Sequence, residues 1–268
     1  MKNLSISIVL YNNDIEDIKM VLNGCFETVA NKDVYIIDHS DKASFLDYFK
    51  NRKVNYLKSK NTGFGSGHNK AMYHFKLYNK YKYHLILNPD INFKKNTIFK
   101  LLNYLYQNKD VGAIMPKILN FDGTLQFSRR CLPKPKYLIM KRLFPNSLSA
   151  LEYELKFYEP KEELELIGIS GCFMIVNTKI IKKIGFFDER YFMYFEDFDL
   201  ARRISEISKV VYYPQASVFH KGNSEHKRNI KLFCHLLRSA FLYFKKWGII
   251  DKYRDSKNAE LINKFNIK

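Results

Sequence analysis

Three carboxylate positions are the first candidates for chemistry, because each follows an apolar or aromatic run. Asp38 ends the segment VYIID, Asp90 ends HLILNPD, and an acidic pair follows YFMYF. Carboxylates so placed could contact a nucleoside, hold a divalent cation and take a proton, the three tasks of an enzyme that acts on a nucleoside diphosphate. An isolated aspartate after a strand is also a common turn former or helix cap, so both interpretations stay open for Asp38 and Asp90.

The acidic pair, Glu196 and Asp197, falls at the predicted start of a helix. Free backbone N–H groups at a helix start favour carboxylates and hold them oriented. Behind the aromatic residues Phe192, Tyr194 and Phe195, a carboxylate here could act as general base toward an acceptor hydroxyl. A helix N-cap without catalytic role explains the stretch equally well.

A third carboxylate in this region has a simpler interpretation. Asp199 lies at helical spacing from Arg202 and Arg203. Such spacing brings side chains together on one helix face, so the pattern predicts a structural salt bridge.

The segment NTGFGSGHNKAM (61–72) combines closely spaced glycines with polar side chains. The spacing is GxGxG rather than the GxGxxG of a dinucleotide fold, and the sequence contains no GxxxxGK[ST] phosphate loop. The backbone could still approach a ligand closely at a helix start, with Asn61, His68 and Asn69 as polar contacts. Alone this is weak evidence, and His68 could equally be an exposed residue of that helix start.

Strands alternating with helices are predicted to position these residues. Apolar runs predict strands at 4–11, 34–38, 54–57, 84–88 and 111–116. This alternation is typical of a mostly parallel sheet with helices on both faces, and in such sheets ligands bind at the carboxyl ends of strands. Asp38 and Asp90 both fall at such ends.

The second part of the chain is less regular. Residues 117–165 contain several prolines and mixed charge, which predicts an excursion covering the sheet edge. Strands are predicted again at 168–176, 209–214 and 217–220, and a helix at about 229–247.

Composition bounds the class of protein. With 268 residues and 46% hydrophobic content, the chain can bury a large core as one α/β domain or two joined halves. The four cysteines form no CxxC pair, which argues against a disulfide framework or a zinc site. The apolar start is too short for a secretory segment, and we expect no membrane-spanning helix, which needs about 20 apolar residues.

Charge adds a clue to the partner. The formal net charge of +18 attracts polyanions such as nucleic acid, an anionic bilayer or phosphorylated substrates. The segments 129–142 and 221–268 interleave basic with apolar residues, a pattern that suits a membrane surface as well as nucleic acid. A basic surface that is merely solvated is the alternative.

Seven sequence blocks, in this order, resemble the inverting GT-A glycosyltransferases of family two. They are LSISIVLYN, IIDHSD, NTGFGSGHNKA, LNPDI, GISGCFMIV, GFFDERYFMYFEDFDLARR and FHKGNS. The likeness is greatest to bacterial rhamnosyltransferase-like enzymes of O-antigen and surface-polysaccharide synthesis. It spans about residues 4–245, and an ordered set is far more specific than any one block.

The resemblance implies an α/β fold of the GT-A type, the nucleotide-diphospho-sugar transferase fold. Its mostly parallel central sheet would be flanked by helices and followed by a C-terminal helical extension. We expect a GT-A domain at 1–222, with a nucleotide-sugar half at 1–116 and an acceptor and catalytic half at 117–222. Residues 223–268 would form a basic amphipathic helical tail.

The resemblance also implies site residues. Donor contacts are expected from Tyr11, Asp38, Asn61, Gly63, Asn69 and Asp90. Acceptor-side residues are expected to be Gly171, Cys172 and Tyr194. Asp197 matches the catalytic base, and Glu196 would position the acceptor or the base. The family's DxD metal motif reads Asn88-Pro89-Asp90, so one carboxylate is an amide. Asp90, with His220 as an additional ligand, would bind Mg²⁺ or Mn²⁺.

The implied reaction is a single displacement that inverts the anomeric carbon. The expected donor is dTDP-β-L-rhamnose, and the expected acceptor is an oligosaccharide on a polyprenyl pyrophosphate. The enzyme would be cytoplasmic, peripheral at the inner face of the cytoplasmic membrane, where its basic segments meet an anionic surface.

Three alternatives stay open. The donor could instead carry galactofuranose, galactose, glucose or an N-acetylhexosamine on UDP. The incomplete DxD motif is also compatible with a catalytically silent module that binds nucleotide sugars. Charge alone would allow a nucleic-acid-binding protein, but the sequence contains no recognisable nucleic-acid motif, so no specific nucleic-acid partner is expected.

Overall fold

The computed structural model describes residues 2–28, 32–41, 45–50, 52–156, 159–222 and 230–264. Its N-terminal half alternates strands and helices as the apolar pattern predicts. The elements are β1 (Lys2–Leu10), α1 (Ile15–Glu27), β2 (Lys32–Asp38), α2 (Leu46–Phe49), β3 (Val54–Lys58), α3 (Phe64–His74), α4 (Leu77–Lys80) and β4 (Tyr81–Leu87).

The second half adds shorter strands and more helices. The elements are β5 (Ile91–Phe93), α5 (Asn96–Gln107), β6 (Val111–Leu119), α6 (Pro135–Leu143), α7 (Leu148–Tyr153), β7 (Leu164–Glu165), β8 (Phe173–Asn177), α8 (Thr178–Ile184), α9 (Glu196–Ser205), β9 (Lys209–His220), α10 (Ile230–Trp247) and α11 (Lys252–Lys264).

One sheet organises the described residues, in the order β3-β2-β1-β4-β8-β6-β9-β5, with β7 also paired to β9. The strands β3, β2, β1 and β4 are parallel, as are β6 and β9. β8 runs antiparallel to β4 and β6, and β5 and β7 run antiparallel to β9. The predicted α/β class is confirmed, with the parallel character concentrated in the first half of a mixed sheet.

β1 is buried on both faces, although serines alternate with its apolar residues. Leu4, Ile6 and Ile8 have no exposed surface, and neither have the alternating Ser5 and Ser7 on the other face. Helices cover both faces of a parallel sheet, so each side chain of such a strand is enclosed. The strand therefore fixes the position of whatever follows its carboxyl end.

Three predicted strand boundaries are corrected. The strand predicted at 168–176 begins only at Phe173, because the preceding residues form a turn whose Gly171 N–H bonds a side chain of α9. The strands predicted at 209–214 and 217–220 are one strand, β9, with a register shift opposite Pro116 and Lys117. β6 continues to Leu119, beyond its predicted end.

The C-terminal helices pack onto the same core. Tyr243 of α10 has no exposed surface, and Leu261 of α11 is buried. The Asn258 side chain bonds both the N–H and the carbonyl of Leu132, at 2.8 and 2.9 Å. The helical character predicted for this region holds for 230–247 and 252–264, while the predicted domain boundary stays a prediction.

Some predicted features fall on 223–229 and 265–268, which lie outside the described residues. These include the end of the FHKGNS block and parts of the predicted tail. Within the described ranges, no helix has the length and apolar character needed to cross a membrane.

Candidate active site

A cleft of about 540 Å³ lies where the carboxyl ends of β1, β2 and β4 meet. Ligand sites commonly have about 300–1,000 Å³, so the cleft is large enough for a nucleotide-sized molecule. Four of the predicted donor-side residues line it, namely Tyr11, Asn61, Gly63 and Asp90. The strand-end position predicted for a ligand site therefore agrees with the structure.

Asp38 lies beneath the cleft rather than in its wall. Its carboxylate has no exposed surface and accepts hydrogen bonds from Tyr56 Oη at 2.6 Å, Ser40 N at 2.8 Å and Lys58 Nζ at 3.2 Å. Burial alone would raise the pKa of Asp38, but these hydrogen bonds outweigh it and hold the pKa below its ordinary value. The next residue, His39, reaches the cleft wall. A direct nucleoside contact by Asp38 stays a prediction.

Asn69 joins α3 to the loop that precedes α9. Its amide donates to Phe187 O at 2.8 Å and Glu189 Oε1 at 2.9 Å, and accepts from Phe187 N at 3.0 Å. The side chain is buried and does not line the cleft. The donor contact predicted for Asn69 stays a prediction, beside this evident structural role.

Gly63 allows two loops to touch at the cleft. Its φ of +107° is a conformation that favours glycine, and a Cβ at this position would collide with the Phe192 carbonyl oxygen. That same carbonyl accepts a hydrogen bond from Phe64 N at 3.0 Å. The start of α3 is thus fixed against the aromatic segment before α9.

His68 is neither a cleft contact nor an exposed helix-start residue, because its side chain is fully buried. Ser7 Oγ lies 2.6 Å from His68 Nδ1 and 2.8 Å from His84 Nε2, and Ser5 Oγ lies 2.8 Å from His84 Nδ1. Burial lowers the pKa of His84 to about 3 and lowers that of His68 well below its ordinary value. Both rings are therefore neutral parts of a polar core under β1.

One end of the site is built around Asp90 and His220, which antiparallel pairing of β5 with β9 brings together. His220 Nε2 lies 3.4 Å from Asp90 Oδ1, and His220 Nδ1 lies 2.6 Å from Gln126 Oε1. The NH₂ group of Gln126 donates to Asn120 Oδ1 at 2.9 Å. The Gln126 oxygen therefore faces His220 and accepts the proton on Nδ1 of the ring. Nε2 is then the ring nitrogen that faces Asp90.

Asn88 contributes an unsatisfied oxygen to this end. Its Oδ1 is buried without a hydrogen-bond partner, while its Nδ2 lies 3.5 Å from His220 Nε2. A buried orphan acceptor costs about 1–3 kcal/mol, and oxygen and imidazole nitrogen are ligands that Mg²⁺ or Mn²⁺ accepts. Burial raises the pKa of Asp90, but its contacts with His220 and with backbone N–H groups outweigh this and lower it.

Asn88, Asp90 and His220 therefore fit a divalent cation as a sparse set of protein ligands. In the described part of the chain, no group of three or more His, Cys, Asp or Glu side chains has the arrangement of a metal site. A cation here would need further oxygen ligands from a substrate.

The other end of the site is the acidic pair at the start of α9. Asp197 accepts hydrogen bonds from Gly171 N at 3.2 Å and Phe198 N at 2.9 Å. Burial raises the pKa of Asp197, opposed by the charge of Arg130 and by these N–H groups. Glu196 is 6% exposed, its Oε2 has no partner, and burial and then the Asp197 charge raise its pKa well above the ordinary value. Of the two acids, Glu196 is therefore the one that holds its proton more tightly, and Asp197 is the one that ionises more readily.

The backbone before this pair is strained. Tyr194 and Phe195 have consecutive φ angles of +70° and +69°, which cost about 1–3 kcal/mol each in residues other than glycine. α10 holds the turn, because Ser239 Oγ donates to Met193 O at 2.8 Å and the Phe195 ring lies 5.3 Å from that of Tyr243. The acceptor-side role of Tyr194 stays a prediction.

The Gly171–Cys172 turn lies between the two ends. A Cβ on Gly171 would lie 3.3 Å from the Phe64 ring and 3.4 Å from Asp197 Cβ. Burial raises the pKa of the Cys172 thiol to about 12, and the charges of Asp90 and Asp197 add to the effect. The predicted acceptor-side turn therefore adjoins both the cation end and the acid end.

Asp199 forms the predicted salt bridge with Arg203, at 2.9 Å, and not with Arg202. Trp247 Nε1 also donates to Asp199, at 2.8 Å. Arg202 instead pairs with Asp251 and places its guanidinium 4.0 Å from the centre of the Trp247 ring. Arg202 thus packs α9 against the C-terminal helices, whereas Arg203 joins α9 to the carbonyl groups of residues 184–186.

Sequence reasoning missed three residues near the site. Arg130 acts electrostatically on Asp197 from the irregular segment, where no periodicity marks it. Lys231 and His235 line the cleft from α10. Their spacing of four residues was a usable signal, because it places both on one face of the predicted helix.

The fold matches that of a solved glycosyltransferase. The structure of GalNAc-T7 with UDP, GalNAc and Mn²⁺ aligns with a TM-score of 0.59 and 13% identity, over 82% of this chain and 44% of that chain. At so low an identity the likeness establishes the fold alone, and the chain has the GT-A glycosyltransferase fold. No protein-family model matches the chain.

Relatives in sequence agree with the fold. The N-acetylglucosaminyl-diphospho-decaprenol L-rhamnosyltransferase of Mycobacterium tuberculosis is 30% identical over 141 residues, which are 51% of this chain and 46% of that protein. The low-salt glycan biosynthesis hexosyltransferase Agl10 of Haloferax volcanii is 27% identical over 208 residues, 76% of this chain and 62% of that protein. The rhamnosyltransferase WbbL of Escherichia coli is 26% identical over 211 residues, 74% of this chain and 75% of that protein.

The predicted resemblance to rhamnosyltransferase-like GT-A enzymes is thereby confirmed. The matched region spans about half the length of the mycobacterial relative.

Proposed function

We propose that this protein is an inverting glycosyltransferase of cell-surface glycan synthesis, which moves a sugar from a nucleoside diphosphate to an acceptor hydroxyl. The observation that carries the proposal is the pairing of two chemically different ends across the Gly171–Cys172 turn. One end, with Asp90 and His220, suits a cation beside a diphosphate. The other presents Asp197 as an ionisable base.

The reaction follows from these positions. Asp197 takes the proton of the acceptor hydroxyl, whose oxygen forms a bond to the anomeric carbon of the donor sugar. The bond from that carbon to the diphosphate breaks on the opposite face, and the diphosphate leaves with the electron pair. The N–H groups of Gly171 and Phe198 hold the Asp197 carboxylate oriented throughout.

Asn88, Asp90 and His220 would hold Mg²⁺ or Mn²⁺ beside the donor diphosphate. Such a cation, when bound, supplies positive charge against the leaving oxygens. The metal in the GalNAc-T7 structure, Mn²⁺ with UDP, supports this assignment by analogy of fold. Asp90 is held ionised by its surroundings, and His220 is oriented by Gln126.

For the substrates, the best-supported donor is dTDP-β-L-rhamnose, and the best-supported acceptor is a sugar on a polyprenyl diphosphate. Two relatives are named rhamnosyltransferases, and the name of the mycobacterial one includes a diphospho-decaprenol acceptor. Agl10 is named a hexosyltransferase, so UDP-galactofuranose, UDP-galactose, UDP-glucose and UDP-N-acetylhexosamines belong in the same test.

A donor screen by thermal shift tests the proposal. A ligand at 100 times its Kd stabilises the native state by about 2.7 kcal/mol, roughly 5–10 °C for a chain of this size. We expect this shift from dTDP-rhamnose with Mn²⁺, and its metal-dependent part should disappear in Asp90→Asn. Asp47→Asn, at an exposed position of α2, is the matched control.

Turnover completes that test. Release of dTDP should require donor, metal and a prenyl-diphosphate-linked sugar together. Metal-dependent donor binding without release against a full acceptor panel would instead identify a silent binding module. No shift with any nucleotide sugar would refute the proposal.

A membrane surface as partner is supported by an apolar and basic face formed by α6, the α6–α7 connection and α10. Its exposed apolar side chains are Ile139, Leu143, Phe144, Leu148, Ile230, Leu237 and Phe241. Arg142 joins the two parts, with its guanidinium 5.0 Å from the Phe233 ring centre. The segments 135–148 and 230–247 contain lysines and arginines but no Asp or Glu. An anionic bilayer complements such a face.

Vesicle co-sedimentation tests this partner. The protein should sediment with phosphatidylglycerol vesicles at low salt, and Phe144→Asp should weaken the partition by about tenfold or more, because burying a Phe contributes about 1.5–3 kcal/mol. Phe99→Asp, at an exposed position of α5, should have no effect on the partition. Wild-type protein remaining in the supernatant would remove the membrane from the proposal.

A further inference from the structure

We propose that Lys231 and His235 of α10 bind the diphosphate of the nucleotide donor and stabilise it as it leaves the sugar. The inference rests on the proposed function, since that function defines the donor. Beyond that function, the inference names the side chains that stabilise the negative charge developing on the leaving diphosphate.

One face of α10 borders the cleft. Lys231 and His235 both line the cleft that also contains Asp90. They share a helix face with Ser239, four residues further on, whose hydroxyl bonds Met193 O at 2.8 Å. His235 is half-buried and Ser239 is buried, so this face is turned toward the body of the protein, while Lys231 is exposed at its N-terminal end, where it borders the cleft.

Stacking fixes the position of the His235 ring. Its ring stacks on that of Phe192, with centroids 4.4 Å apart and an interplanar angle of 20°. The Phe192 carbonyl in turn accepts from Phe64 N, at the start of α3. The stack and this hydrogen bond set α10 opposite the predicted donor-side loop, so the cleft has a second wall built to a definite geometry.

The negative charge of the donor diphosphate also favours this role for Lys231. The diphosphate of a nucleotide sugar carries two negative charges, and a third develops on the leaving oxygen as its bond to the sugar breaks. A divalent cation held by Asp90 would compensate these charges only in part, because Asp90 is itself an anion. Among the described residues that line the cleft, Lys231 is the only lysine or arginine. Groups placed where charge develops in the transition state contribute most to catalysis. His235 adds a ring N–H donor on the same helix face as Lys231.

The alternatives on α10 fit less well. Lys245 is exposed, and neither it nor Arg238 lines the cleft. Lys246 does not line the cleft either, and it pairs with Asp188 and Asp199, at 3.0 and 2.7 Å. The same helix therefore contains cations outside the cleft, and these supply controls.

The test is isothermal titration of the full chain, with Mn²⁺, using dTDP, UDP, dTDP-rhamnose, thymidine and farnesyl diphosphate. Lys231→Met should weaken dTDP binding by about 10–100-fold, the effect of a lost hydrogen bond to a charged group. It should weaken dTDP-rhamnose binding less and leave thymidine binding unchanged. His235→Phe keeps the stack on Phe192 and removes the ring N–H. We therefore expect the same ranking of affinity losses among the ligands, with each loss smaller than in Lys231→Met. Lys245→Met should match wild type.

The outcomes separate this inference from the proposed function. If wild type binds none of the nucleotides, the proposed function fails. If wild type binds dTDP and Lys231→Met binds it equally well, the inference fails and the function stands. An equal loss for thymidine would mean a disturbed cleft and would overturn the phosphate role. A loss for farnesyl diphosphate without a loss for dTDP would assign Lys231 to the acceptor lipid, and would also overturn it.

Discussion

Replacing Asp197 by asparagine is expected to lower kcat by about 10²–10⁴-fold, the usual contribution of a general base. Asparagine keeps the size of the side chain, but it cannot take a proton. Gly171 N and Phe198 N bond different oxygens of Asp197, so the single oxygen of asparagine can still accept from one of them. Donor affinity should change by less than about twofold, because Asp197 does not line the donor cleft. Steady-state kinetics with titration of donor binding would measure both effects.

The neighbouring acid supplies the control. Glu196→Gln should retain most of the turnover, because burial raises the pKa of Glu196 well above its ordinary value and so favours the protonated form, and glutamine is a neutral group of the same shape. An inactive Glu196→Gln beside an active Asp197→Asn would reverse the assignment of the base. Loss of activity in both would indicate that the pair acts as one unit.

The same chemistry predicts a pH dependence. Burial raises the pKa of Asp197, so the acid limb of the rate profile should lie above the range of an ordinary aspartate. Activity falls as pH decreases, because the protonated carboxyl cannot act as base. Arg130 favours the ionised form, and Arg130→Gln should therefore move this limb to higher pH. Arg142→Gln, an exposed arginine on α6, should leave it in place.

The ends of the buried strands were predictable because the cause is local. Apolar runs that terminate in Asp38 or near Asp90 indicate strands enclosed on both faces, and parallel strands bring their carboxyl ends to one edge. The start of α9 at Glu196 follows in the same way from the change of pattern after the aromatic run. These features depend on neighbouring residues alone.

The remaining parts of the site depend on contacts between distant segments. Which acid of the 196–197 pair ionises is set by the turn at Gly171 and by Arg130, and neither is adjacent in sequence. Asn69 resembles a ligand contact in sequence, yet its amide is engaged by the loop at Phe187. Lys231 reaches the cleft only because α10 packs against residues 192–195. No local pattern encodes such packing.

Replacing Asp199 by alanine is expected to lower the free energy of unfolding by about 3–5 kcal/mol, the cost of removing one partner from a buried charge network. The carboxylate has no exposed surface and meets Arg203 Nε at 2.9 Å, Lys246 Nζ at 2.7 Å and Trp247 Nε1 at 2.8 Å. Alanine would leave two cations facing each other around a cavity. Urea denaturation followed by tryptophan fluorescence would measure the change, since Trp247 is the only tryptophan.

Two further variants separate charge from packing in that network. Asp199→Asn keeps an oxygen for Trp247 but removes the negative charge, so its loss of stability should be smaller than that of alanine. Glu206→Ala removes an acid that is 44% exposed and lies 4.0 Å from Arg202, and such a surface pair contributes at most about 1 kcal/mol. Asp199 joins α9 to α10. The first turn of α9 contains the proposed base, and α10 lines the cleft. Stability of the alanine variant within 1 kcal/mol of wild type would mean that the contacts of Phe195 with Tyr243 and Phe244 are sufficient to hold the two helices together.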